Sequence, residues 1–231
     1  MMANRNSRKN LLICLEGGDG AGKGTQADLL LARLREVGAA SLMSFPDYKT
    51  PSGELVGELL AGKHWDLNEM DPRMLSAFYA LNRAGAKEKL LNTLSEGHVI
   101  LNRYVGSNMA YQVSRVSGEH VQGLLEFLYR LEFGELGLPK PDVVIFLDVE
   151  PEISAGQVGG KEVRDYLAGT GHTADVNERD TSLQARVYAT HQTFVSRYEK
   201  WHSVQCLKDQ RILPPEKIHE LVWEVVEPLI S

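Results

Sequence analysis

The amino-acid sequence predicts an α/β fold in which helices flank a five-stranded, mainly parallel sheet. Three observations carry this expectation. Apolar runs of strand length alternate with long helical patterns, as in parallel strands joined by crossover helices. The 231 residues are enough to bury a core without disulfide or metal staples. No internal repeat or low-complexity linker divides the chain, so residues 1–231 read as one domain.

The basic, polar start of the chain predicts a flexible leader over residues 1–9, ahead of a first strand at Leu11–Glu16. The apolar run Leu11–Leu15 is too short for a signal-peptide core of about 7–15 residues. A helix follows over Gly22–Val37, with Leu29, Leu30 and Leu34 on one face, and then a strand over Ala40–Phe45. The helical pattern Asp71–Ser95 opens on Asp71 as a cap and Pro72 in the first turn. Further strands are expected at His98–Asn102, Val143–Asp148 and His202–Leu207, and further helices at Glu119–Gly134, Asn177–Lys200 and Pro215–Leu229. Residues 157–175 break this rhythm. They are rich in glycine and carry the cations Lys161 and Arg164, which reads as a lid.

A net charge of −6 argues against a surface that coats nucleic acid, although a local basic pocket for a phosphorylated ligand remains compatible with it. No stretch approaches the roughly 18 apolar residues that span a bilayer. Cys14 and Cys206 form no CxxC pair and the seven histidines show no ligand spacing, so no zinc framework is expected. The low cysteine content fits a reducing cytoplasm.

After the first strand the chain reads Gly17-Gly18-Asp19-Gly20-Ala21-Gly22-Lys23-Gly24-Thr25, a G-x-x-x-x-G-K loop that opens a helix. Glycines let backbone N–H groups turn inward around phosphate oxygens, and the helix N-terminus adds its positive dipole. Lys23 reaches the terminal phosphates and offsets charge during transfer. The expectation is therefore a P-loop nucleotide-binding fold. Gly24 stands where Ser or Thr usually supplies a hydroxyl to Mg²⁺, and Thr25 is the only hydroxyl adjacent. Lys23-Gly24-Thr25 is similar to the loops of nucleoside monophosphate kinases. The Asn-Lys-x-Asp motif of GTPases is absent, as is the Leu-Ser-Gly-Gly-Gln of transporter ATPases. Asp148 has two readings, a Walker-B-type carboxylate or a cap on the next helix.

Five further motifs occur in an order that resembles thymidylate kinases. They are Phe45-Pro46-Asp47-Tyr48-Lys49-Thr50-Pro51-Ser52-Gly53, Tyr79-Ala80-Leu81-Asn82-Arg83-Ala84-Gly85, Asn102-Arg103-Tyr104-Val105-Gly106-Ser107-Asn108-Met109-Ala110-Tyr111, Gly137-Leu138-Pro139-Lys140-Pro141-Asp142 and Asn177-Glu178-Arg179-Asp180. The resemblance covers roughly Leu11 to Tyr198. It implies phosphoryl transfer from ATP to dTMP with Mg²⁺, usually in a homodimer. It also implies that Tyr79 stacks on thymine and Arg83 meets the base edge; the alternative for Tyr79 is a core ring beside Leu75 and Phe78. Arg103 matches the arginine that holds the acceptor phosphate, against a simple surface ion pair. Ser107, Asn108 and Tyr111 belong with the acceptor nucleotide, Asn108 at the thymine edge and Tyr111 near the deoxyribose. Asp19 lies near the sugar 3′-hydroxyl and the metal, with Thr25 and Glu178 as further metal candidates. Phe45 and Tyr48 line the acceptor phosphate, and Lys161 and Arg164 cover the ATP phosphates.

Two more positions depart from the family pattern. Asn102 replaces the usual aspartate before the arginine, which removes a negative charge near the metal. Asp47 stands where some relatives have arginine. Facing the acceptor phosphate it would repel it, so it either points away or, the preferred reading, holds a cation such as Lys49 or Arg103. Other readings of the chain are a nucleoside monophosphate kinase with another base preference, a weakly catalytic nucleotide-binding protein, and a GTPase switch.

Overall fold

A computed structural model describes residues 9–158 and 165–230. The main sheet has the order β2-β3-β1-β4-β5 and is parallel throughout, formed by β1 (Leu12–Glu16), β2 (Ala40–Ser44), β3 (His98–Asn102), β4 (Val143–Asp148) and β5 (Trp201–Gln205). Both faces of the sheet are covered, which is why its strands read as continuous apolar runs. Ile13 and Leu15 of β1 face α1 (Lys23–Val37) and α10 (Pro215–Ile230), where Leu30, Leu34 and Val222 are fully buried. Leu12 and Cys14 point the other way, into a core shared with α4 (Lys87–Glu96), α5 (Val105–Val113), α6 (His120–Tyr129) and α9 (Thr181–Arg197). A third, smaller cluster around Val56, Leu59 and Leu75 joins α2 (Pro51–Leu60) to α3 (Pro72–Gly85).

The helical pattern over 71–95 is two helices. The chain turns at Ala86, whose N–H bonds back to Arg83 and Ala84, and this lets Leu90 of α4 reach the core. The pattern over 177–200 likewise divides into α8 (Val176–Arg179) and α9, because the Asp180 carboxylate accepts the Leu183 N–H at 2.9 Å and starts a new helix. The pattern over 119–134 becomes α6 followed by a π-helical turn over Arg130–Glu135. The last strand runs Trp201–Gln205 rather than 202–207, and a short hairpin of β6 (Leu207–Lys208) and β7 (Arg211–Ile212) follows it. Helices α2, α5 and α7 (Pro151–Val158) were not expected from periodicity. Every residue of α5 except Gly106 is buried, so no polar face marks it as helical.

Cys14 and Cys206 are free and buried; burial pushes both thiols up, Cys206 to about 12, so neither is a nucleophile. His191 of α9 is fully buried, stacked on Phe146 at 5.2 Å, and its Nε2 has no partner among the described residues. Burial lowers it to about 4. The unfolded chain takes up a proton near pH 6.5 that the native state refuses, so stability is full above pH 6.5 and falls as pH drops toward 4. Urea unfolding at pH 7.5 and 5 is expected to show this loss, on the order of 3 kcal/mol at its full extent, in the parent protein. A His191→Phe variant should show a smaller loss; equal losses in both would refute the assignment.

Candidate active site

The phosphate loop lies between β1 and α1. Gly20 and Gly22 adopt left-handed backbone (φ 82 and 83), and Gly22 caps α1 without any side-chain bond to the first-turn N–H groups. N–H groups at such a helix start suit an anion. Lys23 is buried, with Nζ on the carbonyl oxygens of Gly17 (3.1 Å) and Gly18 (2.6 Å). Its charge is thus held over the loop before any ligand arrives.

The carboxyl ends of β1 and β3 bring the next groups together. Arg103, just past β3, has φ 66, a left-handed conformation that costs a non-glycine residue about 1–3 kcal/mol. That turn directs its guanidinium to Asp19 Oδ1 (2.6 Å) and Ser107 Oγ (2.9 Å), so its ion pair lies inside the cleft. Burial works against the Arg103 charge, but Asp19, Tyr111 and Glu16 outweigh it and raise its pKa. Tyr111 donates to Asp19 Oδ2 at 2.8 Å; burial and that carboxylate keep the phenol protonated well above its usual range. Gln184 of α9 bonds the Tyr111 hydroxyl at 3.3 Å and Asp19 at 3.5 Å.

Glu16 holds this floor from beneath. Fully buried at the end of β1, it accepts the backbone N–H groups of Tyr104 and Ser107, both at 3.0 Å, and the Ser107 hydroxyl. Helix α5 has no side-chain cap of its own, and Glu16 provides one from another element.

The cleft has a volume of about 350 Å³ and continues from the phosphate loop to a second compartment lined by Phe45, Tyr48, Tyr79, Arg83, Asn108 and Tyr111. Tyr79 lines the cleft and also packs on the α2–α3 cluster. Arg83 lines the same compartment, but its guanidinium is paired inward with buried Glu132, Nε to Oε2 at 2.9 Å and Nη2 to Oε1. Asn108 donates to the same Glu132 Oε1 at 2.7 Å. Phe45 is buried against Tyr104 at 5.8 Å, and Tyr48 packs on Tyr166 at 4.7 Å. Asn82 of α3 staples the loop after β2: its Oδ1 takes the Asp47 N–H, and its Nδ2 donates to Thr50 Oγ1 and Asp47 O. The loop passes so close to α2 that a Cβ at Gly53 would lie 1.8 Å from Asp47 O, which requires glycine there.

Asp47 points away from the cleft, and the preferred reading, that it holds a cation, is corrected. Among the described residues its carboxylate neither faces the cleft nor holds a cationic side chain; it accepts the Lys49 backbone N–H at 3.1 Å and lines a second cavity on the other side of the loop. Asp19, not Asp47, is the partner of Arg103. An asparagine side chain offers the same oxygen to that turn bond, so Asp47→Asn is expected to leave the dTMP KM within about twofold at low and high salt. A large salt-dependent change would show that the residue acts on the phosphate.

Asp148 is neither of the things considered for it. Its carboxylate takes Tyr188 Oη (2.7 Å), Ser203 Oγ (3.0 Å) and Gln205 Nε2 (2.5 Å), tying β4 to β5 and α9. Thr25 is exposed and does not line the cleft, whereas Gly24 does. Glu178 closes a capping box with Asp175 and does not line the cleft either. Of the three metal candidates only Asp19 lies in it. Asn102 lies there too, and its buried Oδ1 has no partner among the described residues. One carboxylate and one neutral oxygen beside a phosphate loop fit Mg²⁺, which binds few protein ligands and keeps phosphate and water oxygens. Lys161 and Arg164 lie outside the described residues. The described end of the expected lid, residues 165–175, docks through Tyr166 on Tyr48 and bonds Asp175 at 3.0 Å.

Periodicity and motif spacing did not single out Glu16, Glu132 or Gln184. An acid ending an otherwise apolar strand was the available signal for Glu16. Glu132 and Gln184 sit in ordinary helical patterns, and only the fold shows where they point.

A phosphate loop that opens α1, and a cleft running from it past Asp19 and Arg103 to Tyr79, fit a P-loop nucleoside monophosphate kinase, a phosphotransferase. A thymidylate kinase family model matches residues 15–170. Thymidylate kinase of Mycobacterium tuberculosis is 37% identical over 185 residues, covering 78% of this chain and 84% of that protein. The Thermomicrobium roseum thymidylate kinase is 32% identical over 223 residues, covering 95% of each. The solved structure of Candida albicans thymidylate kinase superposes with a TM-score of 0.72 at 25% identity, over 95% of this chain and 92% of that one. The chain belongs to the thymidylate kinase family.

Proposed function

We propose that this chain carries out its family's reaction, transfer of the γ-phosphoryl group of ATP to dTMP to give dTDP and ADP, with the following division of labour. The observation that carries it is the Asp19–Arg103–Ser107 contact at the junction of the two compartments. Phosphoryl transfer needs positioning and charge stabilisation rather than a general base, since the acceptor phosphate is already ionised. Lys23 sits over the phosphate loop and offsets charge on the transferring group. Arg103, braced by Asp19, presents its remaining N–H groups to the acceptor phosphate. Asp19 and Asn102 would hold Mg²⁺ together with ATP phosphates, and the ion would neutralise charge on the β- and γ-oxygens. Tyr111 is fixed by Asp19 and Gln184 where the acceptor sugar enters. Lys161 and Arg164 are assigned to the ATP phosphates, with closure excluding water.

A coupled ADP-release assay across dTMP, dUMP, AMP, CMP and GMP tests this reading; turnover highest with another monophosphate, or with none, would overturn it. Tyr79→Ala is expected to raise the dTMP KM by roughly 10–100-fold, the scale of a stacking loss of about 1–3 kcal/mol, with the ATP KM nearly unchanged. A parallel fall in both affinities would make Tyr79 a core residue only.

We also propose a homodimer. Met74 and Leu81, seven residues apart on α3, are 53% and 56% exposed with Phe78 between them, an apolar stripe suited to a second copy. Light scattering on the purified protein decides the mass. No helix among the described residues is long and apolar enough to cross a membrane. The two free, buried cysteines support assignment to the reducing cytoplasm.

A further inference from the structure

We propose that Glu132 is a positioning residue that sets which pyrimidine the second compartment accepts, an inference that rests on the base-pocket reading above. Glu132 does not line the cleft. It is fully buried in the π-helical turn after α6, an irregularity of a kind often found at functional sites. Its two oxygens take three N–H donors: Arg83 Nε on Oε2, and Arg83 Nη2 with Asn108 Nδ2 on Oε1.

This fixes what the two cleft residues can offer. Arg83 uses its Nε–H and one Nη2–H on Glu132, so the two Nη1 hydrogens and the second Nη2 hydrogen are the donors left over. Asn108 Nδ2 donates to Glu132 and to Ser76 O at 3.2 Å, so Oδ1 is the atom left to accept. A carboxylate only accepts, so it cannot pair with Asn108 Oδ1, and the amide is held in one of its two orientations. Gln112, one turn along α5, supports the same orientation by donating toward Oδ1 at 3.4 Å.

The result is a donor beside an acceptor. Thymine and uracil present the complement, an O4 acceptor beside an N3–H donor, whereas cytosine presents an N4 donor beside an N3 acceptor and mismatches both. With glutamine at position 132, one carboxylate oxygen becomes an amide donor. At either oxygen's place that donor meets an Arg83 N–H, so the guanidinium loses its bidentate anchor and no longer holds a donor against O4 of thymine, while Ser76 O keeps Asn108 Nδ2 where it is.

The test compares kcat/KM for dTMP and dCMP in the parent, Glu132→Gln and Glu132→Asp. Glu132→Gln is expected to lower the dTMP-to-dCMP ratio by about 10–100-fold, the scale of one buried group left unpaired, with the ATP KM unchanged. Glu132→Asp keeps acceptor-only oxygens and is expected to hold the ratio within about threefold of the parent, even if the dTMP KM rises. A parental ratio in Glu132→Gln, or an equal collapse in both variants, overturns the proposal. Should Glu132→Gln fail to fold, the Glu132→Asp ratio decides alone: retention supports the proposal and collapse overturns it. A parent protein that does not prefer dTMP over dCMP removes the base-pocket reading itself, whichever way the variants behave.

Discussion

Replacing Lys23 with alanine is expected to lower kcat about 10²–10³-fold while the dTMP KM stays nearly unchanged. The reasoning starts from burial. Lys23 is the sole cation in the loop Gly17–Thr25 and is 8% exposed, with its ammonium bound to the loop's own carbonyls. A charge fixed in a site that excludes water acts on the transferring phosphate more strongly than a mobile surface lysine, and needs no reorganisation when charge develops. The acceptor nucleotide is proposed to bind farther along the cleft, where Tyr79, Arg83 and Asn108 are untouched. Steady-state kinetics with both substrates varied separate the two effects. Turnover close to the parental value would remove Lys23 from the chemistry, and a large rise in the dTMP KM alone would move it to acceptor binding.

Arg83→Leu is expected to destabilise the fold by about 3–5 kcal/mol, because it strands a fully buried carboxylate. Arg83 and Glu132 are 3% and 0% exposed at their side chains. In such surroundings most of the loss comes from leaving the other charge unpaired rather than from the attraction itself. The double variant Arg83→Leu, Glu132→Leu should therefore recover much of the stability, although Asn108 loses an acceptor. Urea unfolding of the single and double variants measures this. A single variant as unstable as the double would mean that packing, not the stranded charge, sets the loss.

The two compartments were unequally legible in the sequence. The phosphate loop is a local device: strand, glycines, lysine and helix are contiguous, so residues 17–25 announce themselves. The strands were legible for the same reason, since burial on both faces leaves five short apolar runs that stand out between helices. The acceptor side depends on distance along the chain. Asp19 meets Gln184 across 165 positions and Arg83 meets Glu132 across 49, and no periodicity records such meetings. Helix α5 escaped because it is buried nearly all round and shows no amphipathic face. The breaks at Ala86 and Asp180 escaped because the apolar period continues through them, although Asp180 is a good cap in hindsight of its bond to Leu183. Asp47 misled because its residue type suggested an electrostatic role, while its carboxylate closes a turn.

The sheet order has a consequence for how the chain is made. β1 is the first strand in sequence yet the central one in space, paired on one side with β3 and on the other with β4. Ile13 therefore has no neighbouring strand until His98–Asn102 and then Val143–Asp148 have left the ribosome. At synthesis rates of about 5–20 residues per second, several seconds pass in which Leu11–Leu15 is exposed as an unpaired apolar segment. Such non-local pairing also slows folding once the chain is complete. Nascent chains truncated before residue 98 lack both strand partners of β1 and leave α1, from the chain already made, to cover its Ile13 and Leu15 face.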